Sequence, residues 1–367
     1  MGLANLLEVK ESGKNTEKFL KNYTNRLISL YDQKGLPPGM AVTLASNLNL
    51  FGENMHAKFF GNLDYSQGFE VPEDPLLFQE FFSRIDKNSR YVRIQKPTRA
   101  KIDEFTLQYN FIRGLRPKRD ARREDVKLDE RLDPEKFNYA KSDCEPEVFS
   151  RQSNKQGSND LLYNRYPFAP YHFLWVPDRK NLHNQFLDSK KDSGIIERAV
   201  KFVSDNGLGS VRLSYNSLGA HASVNHLHLQ GFFLTNKWEP PIEDYIKNNK
   251  IESEDFYFRG ARWIPAKDME RGLKESIKEM NDRYYKGEKI SYCFYLTPRG
   301  AVFFPRKHQA DKDYFENLKR ARFTTGFAFF EMLGEIICPN KELSIFDDRE
   351  KVAEQIRELY NTLSLHK

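Results

Sequence analysis

From Phe19 onward, apolar side chains recur every fourth position: Phe19, Tyr23, Leu27 and Tyr31, with Leu20 and Ile28 alongside. This spacing predicts a helix near residues 15–34, ended by Gly35 and Pro37-Pro38. A strand-and-loop region rich in Phe and Gly follows through Phe51, Phe59-Phe60 and Tyr65. Residues 113–135 intersperse charges of both signs and read as a solvated connection. Residues 150–160, SRQSNKQGSND, lack any apolar position and predict a loop. Phe173-Leu174-Trp175-Val176 predicts a buried strand closed by Pro177. Ile195, Ile196, Ala199, Val200 and Val203 lie on one helical face that Asn206-Gly207 stops. Strands at 211–215 and 224–234 are expected next, joined by a tight turn over 216–220. Further on, Tyr292–Leu296 and Ala301–Phe304 straddle a turn at 297–300, and helical patterns run over 314–335 and 349–363. Strand, helix and paired strands predict an α+β fold with an antiparallel sheet and flanking helices. The expected division is an N-terminal helix and cap region (1–99), a half over 100–235 and a second half over 236–367.

Composition narrows the function classes. The 367 residues carry 58 Lys+Arg against 52 Asp+Glu, a net charge of +6. That mild excess suits an anionic small molecule as well as nucleic acid. Hydrophobic residues at 39% and 29 Phe with 18 Tyr are enough for a sizeable core. No apolar run approaches the roughly 18 residues of a membrane span, and the N-terminus lacks the pattern of a secretory signal. Cys144, Cys293 and Cys338 are isolated, which argues against a disulfide framework or a cysteine zinc site. The expected setting is a reducing cytoplasm, with no metal and no cofactor.

The chemistry-bearing stretch is His221-Ala-Ser-Val-Asn-His226-Leu-His228-Leu-Gln230. Leu227 and Leu229 alternate with His226, His228 and Gln230, the period of a half-buried strand. One face is core-bound while the other presents two imidazoles and a carboxamide. Three readings compete. The face is an inert polar surface; or the imidazoles bind a metal, which needs further ligands that no local spacing marks; or the stretch performs nucleophilic catalysis. A neutral imidazole attacks phosphorus when one nitrogen carries the lone pair and the scaffold holds the other as a donor. The preceding turn, with Gly219, Ala220, Ala222 and Ser223, lets N–H groups and a hydroxyl approach phosphate oxygens. A glutamine at 230 stabilises an oxygen without exchanging a proton. The leaving group must then depart as an anion, as a sugar phosphate does, and this favours transfer over hydrolysis.

These residues carry a family resemblance. Tyr215-Asn216-Ser217-Leu218-Gly219-Ala220 with Ser223-Val224-Asn225-His226-Leu227-His228-Leu229-Gln230 resembles the catalytic segment of the histidine-triad superfamily in its HxHxQ transferase form, most of all the GDP-hexose phosphorylases (GDP-L-galactose and GDP-D-glucose phosphorylases). Gln108-Tyr109-Asn110 with Arg113, Lys136 to Lys141, Glu147-Val148-Phe149 and Asn164 through Pro177 resemble other stretches of that family. The resemblance implies two associated halves of the histidine-triad, galactose-1-phosphate-uridylyltransferase-like (HIT/GalT-like) type and a ping-pong nucleotidyl transfer. It matches His228 to the nucleophile, His226 to its supporting neighbour and Gln230 to the phosphate-binding amide. It matches Asn216, Gly219 and Ser223 to the phosphate-side turn, Asn164 to the nucleoside side and His172 to a histidine behind the catalytic strand. The implied partners are a nucleoside diphosphate sugar and phosphate, with a homodimer possible and no membrane or nucleic acid. The alternatives are a dinucleoside polyphosphate phosphorylase, a hexose-1-phosphate uridylyltransferase, or a non-catalytic nucleotide- or RNA-binding protein using the basic stretch Arg116 to Arg123. The chain departs from the family pattern at Tyr171, at Phe111-Ile112 and at His221, where a small or apolar residue is common.

Overall fold

Two sheets organise the chain in the computed structural model, which describes residues 14–31, 47, 97–110, 113, 126–204, 209–321, 323–338 and 349–365. The smaller contains β1 (Thr98–Ile102), β2 (Phe105–Tyr109) and β11 (Glu335–Cys338), with β11 parallel to β2. The larger contains β3 (Val148–Asn154), β4 (Gly157–Tyr163), β5 (Phe173–Pro177), β6 (Val211–Asn216), β7 (Leu229–Phe233), β8 (Arg262–Pro265), β9 (Ile290–Thr297) and β10 (Gly300–Lys307). Its spatial order is β3-β4-β5-β7-β6-β9-β10-β8, and every neighbouring pair is antiparallel.

All residues of β5, β6 and β9 are buried, because the sheet is covered on both faces. On one face, α1 (Lys14–Tyr31), α2 (Ser193–Ser204) and α4 (Met269–Tyr285) bring Phe19, Tyr23, Ile196, Val203, Leu273 and Ile277 against Phe173, Leu213, Tyr215 and Phe294. On the other, the small sheet with α3 (Ile242–Lys247), α5 (Lys312–Arg320), α6 (Phe329–Met332) and α7 (Arg349–Leu363) packs against Phe232, Tyr295, Val302 and Phe304. Side chains of alternate parity along each strand thus feed two cores. Where β5 meets β7, Gly231 faces the Phe173 ring; a Cβ there would stand 2.2 Å from Phe173 Cζ.

The α+β class, the antiparallel sheet, α2 and α7, and the β9–β10 hairpin follow the hydrophobic pattern. Three elements differ. The polar stretch 150–160 is not a loop but most of the β3–β4 hairpin at the sheet edge. Its buried Asn159 and Asp160 are satisfied by guanidinium groups: Arg198 Nε donates to Asn159 Oδ1 at 3.2 Å and Arg179 Nε to Asp160 Oδ2 at 2.6 Å. The strand expected over 224–234 begins only at Leu229, so His226 and His228 lie on irregular backbone leading into it. The helix expected over 314–335 divides into α5, a connection, α6 and β11, with Gly326 at φ +152° in the connection. The stops at Gly35 to Pro38 and Asn206-Gly207, the segment 51–65 and the cations Arg116 to Arg123 lie outside the described residues.

Candidate active site

The β6–β7 ladder ends at the pair Ser214–Gln230. Continued by two residues, the same register would set Asn216 against His228, and at that point a side chain takes over from the ladder. Gln185, 1% exposed, accepts the His228 N–H through Oε1 at 2.8 Å. Its Nε2 donates to Asn216 O at 2.8 Å and to His228 O at 3.1 Å. Asn225 Oδ1 accepts the Gln185 N–H at 2.8 Å, and Leu227 N–H donates to His183 O at 2.7 Å. Residues 183–185 therefore pin the histidine segment along its length. Buried backbone groups need partners, and here one carboxamide supplies three of them.

The same backbone fixes the imidazoles. His228 Nδ1 lies 2.8 Å from His226 O, and a carbonyl can only accept, so Nδ1 carries the proton and Nε2 the lone pair. His226 has the opposite tautomer: Tyr139 N–H donates to its Nδ1 at 3.0 Å, which places the proton on Nε2, a buried atom with no hydrogen-bond partner among the described residues. Burial, then the neighbouring His228, lowers His226 to about 3, so it is neutral at physiological pH. The Tyr139 ring stands edge-on to His228 with centroids 5.1 Å apart, and its backbone carbonyl accepts from Arg179 Nη1 at 2.7 Å. Arg179, 2% exposed and paired with Asp160 and Glu145, thereby anchors the residue that touches both imidazoles.

A cavity of about 130 Å³ opens beside this segment, and its wall includes His228, Gln230, Asn164, Asn216, Ser223 and His221. Gln230 Oε1 lies 3.2 Å from His172 Nε2, and Asn164 Nδ2 lies 3.2 Å from the same nitrogen. Phe168 N–H reaches His172 Nδ1 at 3.4 Å, which leaves the proton on Nε2 for Gln230 and the Gln230 amide nitrogen as that side chain's remaining donor. His172 is wholly buried and held well below the ordinary imidazole value, first by burial and then by Arg113. Asn216 is oriented in the same sense: its Oδ1 accepts Phe329 N–H at 2.8 Å, leaving Nδ2 as its donor. Two carboxamide donors, a serine hydroxyl and a lone-pair imidazole nitrogen thus line one small space.

Other expected residues stand behind it. His226 and His172 are absent from the cavity wall, and Gly219 packs beneath His308, where a Cβ would stand 2.2 Å from His308 Cδ2. Gly219 thus serves close packing of the turn. The wall also contains Phe137 with Arg165 above its ring at 5.2 Å, and Phe168 with Arg113 above its ring at 5.1 Å. Arg165 Nε is paired with Glu147 at 2.6 Å. Gln108 and Asn110, at and just beyond the end of β2, hold the carbonyls of Phe168 and Pro167 at 2.9 and 3.1 Å. The far wall comes from Ala328, Phe329, Phe330 and Glu331, the last raised by burial to about 7. Sequence reasoning missed Gln185, Arg179 and this C-terminal wall. Their partners are distant in sequence, and nothing in their local pattern marks them. Among the described residues, no group of three or more His, Cys, Asp and Glu side chains is placed to hold a metal ion, and no helix is long and apolar enough to cross a membrane.

Residues 90–232 match the family described as "GDPGP1-like, N-terminal domain". The chain is 30% identical over 133 residues to GDP-D-glucose phosphorylase 1 of Danio rerio, covering 36% of this chain and 37% of that protein. It is 31% identical over 216 residues to the Homo sapiens protein of the same name, covering 54% and 52%. It is 27% identical over 208 residues to GDP-L-galactose phosphorylase 2 of Arabidopsis thaliana, covering 50% and 47%. These alignments span about a third to a half of each relative. Among solved structures, yeast Ap4A phosphorylase Apa2 in complex with AMP superposes with a TM-score of 0.49 at 15% identity, covering 80% of this chain and 98% of that one.

Proposed function

We propose, from the match of residues 90–232 to the GDPGP1-like N-terminal domain family, that this chain is a GDP-hexose phosphorylase acting through a nucleotidyl-histidine at His228. The observation that carries the reading is the tautomer of His228, fixed by its Nδ1–H donation to His226 O at 2.8 Å beside a cavity lined with amide donors. Nε2 attacks the α-phosphorus of the sugar nucleotide. The P–N bond forms as the bond to the bridging oxygen breaks, and its electron pair leaves with the hexose 1-phosphate. An oxygen of inorganic phosphate then attacks the same phosphorus, the P–N bond returns its electrons to Nε2, and a nucleoside diphosphate departs. Neither half-reaction protonates a poor leaving group, which agrees with a glutamine at 230.

In this reading Gln230 and Asn216 hold the non-bridging oxygens through their amide nitrogens, with the Ser223 hydroxyl beside them. His226 acts through its carbonyl, which orients His228, and through its neutral ring. Asn164 lies on the nucleoside side with Phe137 and the Arg165 guanidinium, a flat surface suited to a base. The three cysteines are buried and form no disulfide, in keeping with a reducing compartment such as the cytoplasm.

The test is incubation with a panel of sugar nucleotides and phosphate. GDP release from a GDP-hexose is expected, together with a nucleotidyl mass increment located on His228 after exposure to the sugar nucleotide alone. His228→Asn should abolish both. Turnover that survives this substitution refutes the assignment, and turnover confined to another base or to dinucleoside polyphosphates refutes the substrate class.

A further inference from the structure

His221 is a cavity-lining imidazole that the mechanism above does not use. Its placement is heavily determined. The residue sits in the left-handed region at φ 65°, a conformation that costs a side chain with a Cβ and persists only where neighbours impose it. Its backbone N–H donates to Gln309 Oε1 at 2.8 Å. Its ring lies over Gly326, where a Cβ would stand 2.6 Å from His221 Cε1. Tyr314 OH accepts Phe327 N–H at 2.8 Å and stands beside the Arg306 guanidinium, two positive partners that leave its own proton for His221 Nε2 at 3.0 Å. Nε2 is therefore an acceptor and Nδ1 carries the hydrogen. Among the described residues that N–H has no protein partner, and the partly exposed His221 lines the cavity.

Charge around the ring tunes this donor. Burial, then Arg306 and His308, lowers His221 to about 3, so the ring is neutral across the working range of pH. The Arg306 guanidinium lies over the Tyr314 ring at 5.8 Å. A chain from Phe327 N–H through Tyr314 O–H into Nε2 polarises the imidazole and strengthens donation from Nδ1. A strengthened neutral donor suits an anionic oxygen. It holds such an oxygen without the tight ion pair that would retard release.

Resting on the phosphorylase reading, we propose that His221 Nδ1–H binds the phosphoryl group beyond the transferred nucleotide. In the first half-reaction that group belongs to the departing hexose 1-phosphate; in the second it is the inorganic phosphate that takes its place. His221 is thus the residue through which the C-terminal segment, residues 306–327, shapes the non-nucleotide half of the site.

Because the two half-reactions can be separated, the proposal is testable. Wild type and variants are loaded with nucleotide by exposure to a GDP-hexose, freed of small molecules, and scored by intact mass. Inorganic phosphate is then added, and loss of the adduct is followed. His221→Leu and His221→Gln should discharge about 10–100-fold more slowly, the loss expected for a hydrogen bond to a charged group. His221→Asn should remain within about threefold, because an asparagine amide overlays Nδ1 and asparagine tolerates positive φ, whereas a glutamine amide reaches only the Nε2 position. Gly326→Ala, which displaces the ring without removing it, should behave like His221→Leu. Discharge of His221→Leu at the wild-type rate overturns the proposal. Slow loading with normal discharge also overturns it, since the donor would then read the sugar. Absence of any adduct on the wild-type protein defeats the phosphorylase reading itself, and this is seen before phosphate is added.

Discussion

Replacing Gln185 by methionine tests whether a side chain stands in for the missing rungs between β6 and the histidine segment. Methionine keeps the length and approximate volume but offers no hydrogen bond. Three backbone groups then lose partners: His228 N–H at 2.8 Å, Asn216 C=O at 2.8 Å and His228 C=O at 3.1 Å. Gln185 is 1% exposed, so water does not replace it in place. An unsatisfied buried group costs about 1–3 kcal/mol. Local relaxation recovers part of this, and the expected loss is about 3–5 kcal/mol. Domains are stable by about 5–15 kcal/mol, so the variant should still fold. Urea unfolding followed by circular dichroism gives the midpoint. With a slope of about 2–3 kcal/mol/M it should fall by about 1–2.5 M. Nucleotidylation should fall with it, because the His226 carbonyl that fixes the nucleophile's tautomer lies on the loosened segment. A loss below about 1 kcal/mol would show that the backbone groups find other partners and refute the reasoning.

Three further outcomes are expected. His172, His221 and His226 are neutral in the folded chain, with values pushed below 6.5, whereas the unfolded chain protonates them below about pH 6.5. Their stabilisation is complete above that pH and is lost as pH falls, with His221 and His226 losing theirs toward about 3. Glu331, raised to about 7, acts oppositely and loses stability as pH rises from about 4.5 to 7. Unfolding near pH 5 should therefore take up protons on balance, seen as stability that falls on acidification by about 1.4 kcal/mol per pH unit for each proton taken up. Arg179→Met strips the guanidinium from buried Asp160 and from Tyr139 O and should cost about 3–5 kcal/mol in chemical denaturation. Gly231→Ala forces a Cβ against the Phe173 ring and should cost about 1–3 kcal/mol, read as a lowered thermal midpoint.

Much of the fold was legible because its strands and helices carry their burial in their periodicity. α7 and the β9–β10 hairpin are recognisable from apolar spacing and one turn, because each is defined by near neighbours. The β3–β4 hairpin was not, since its polar residues are balanced by Arg179 and Arg198, which arrive from distant positions. The long helix expected over 314–335 failed because Phe323, Phe327, Phe329 and Phe330 serve a tertiary core rather than one helical face. At the site, His228, Gln230, Asn164, Asn216 and Ser223 share one wall, although the residues that set their geometry lie elsewhere. Gln185 sits in an Asn-Gln-Phe stretch with no pattern of its own, and its importance arises only where two strands stop pairing.

β6 pairs with β7 on one side and with β9 on the other, with Asn216 set against Cys293. The match to the family model ends at residue 232, so β9 lies outside it. A fragment stopped there would present Leu213 to Asn216, with their unpaired N–H and C=O groups, as an open border of fully buried residues. Such a border recruits other chains. Residues 90–232 are therefore not a portable cassette, and a soluble truncation or fusion of the histidine-bearing part must carry strand 290–297 with it.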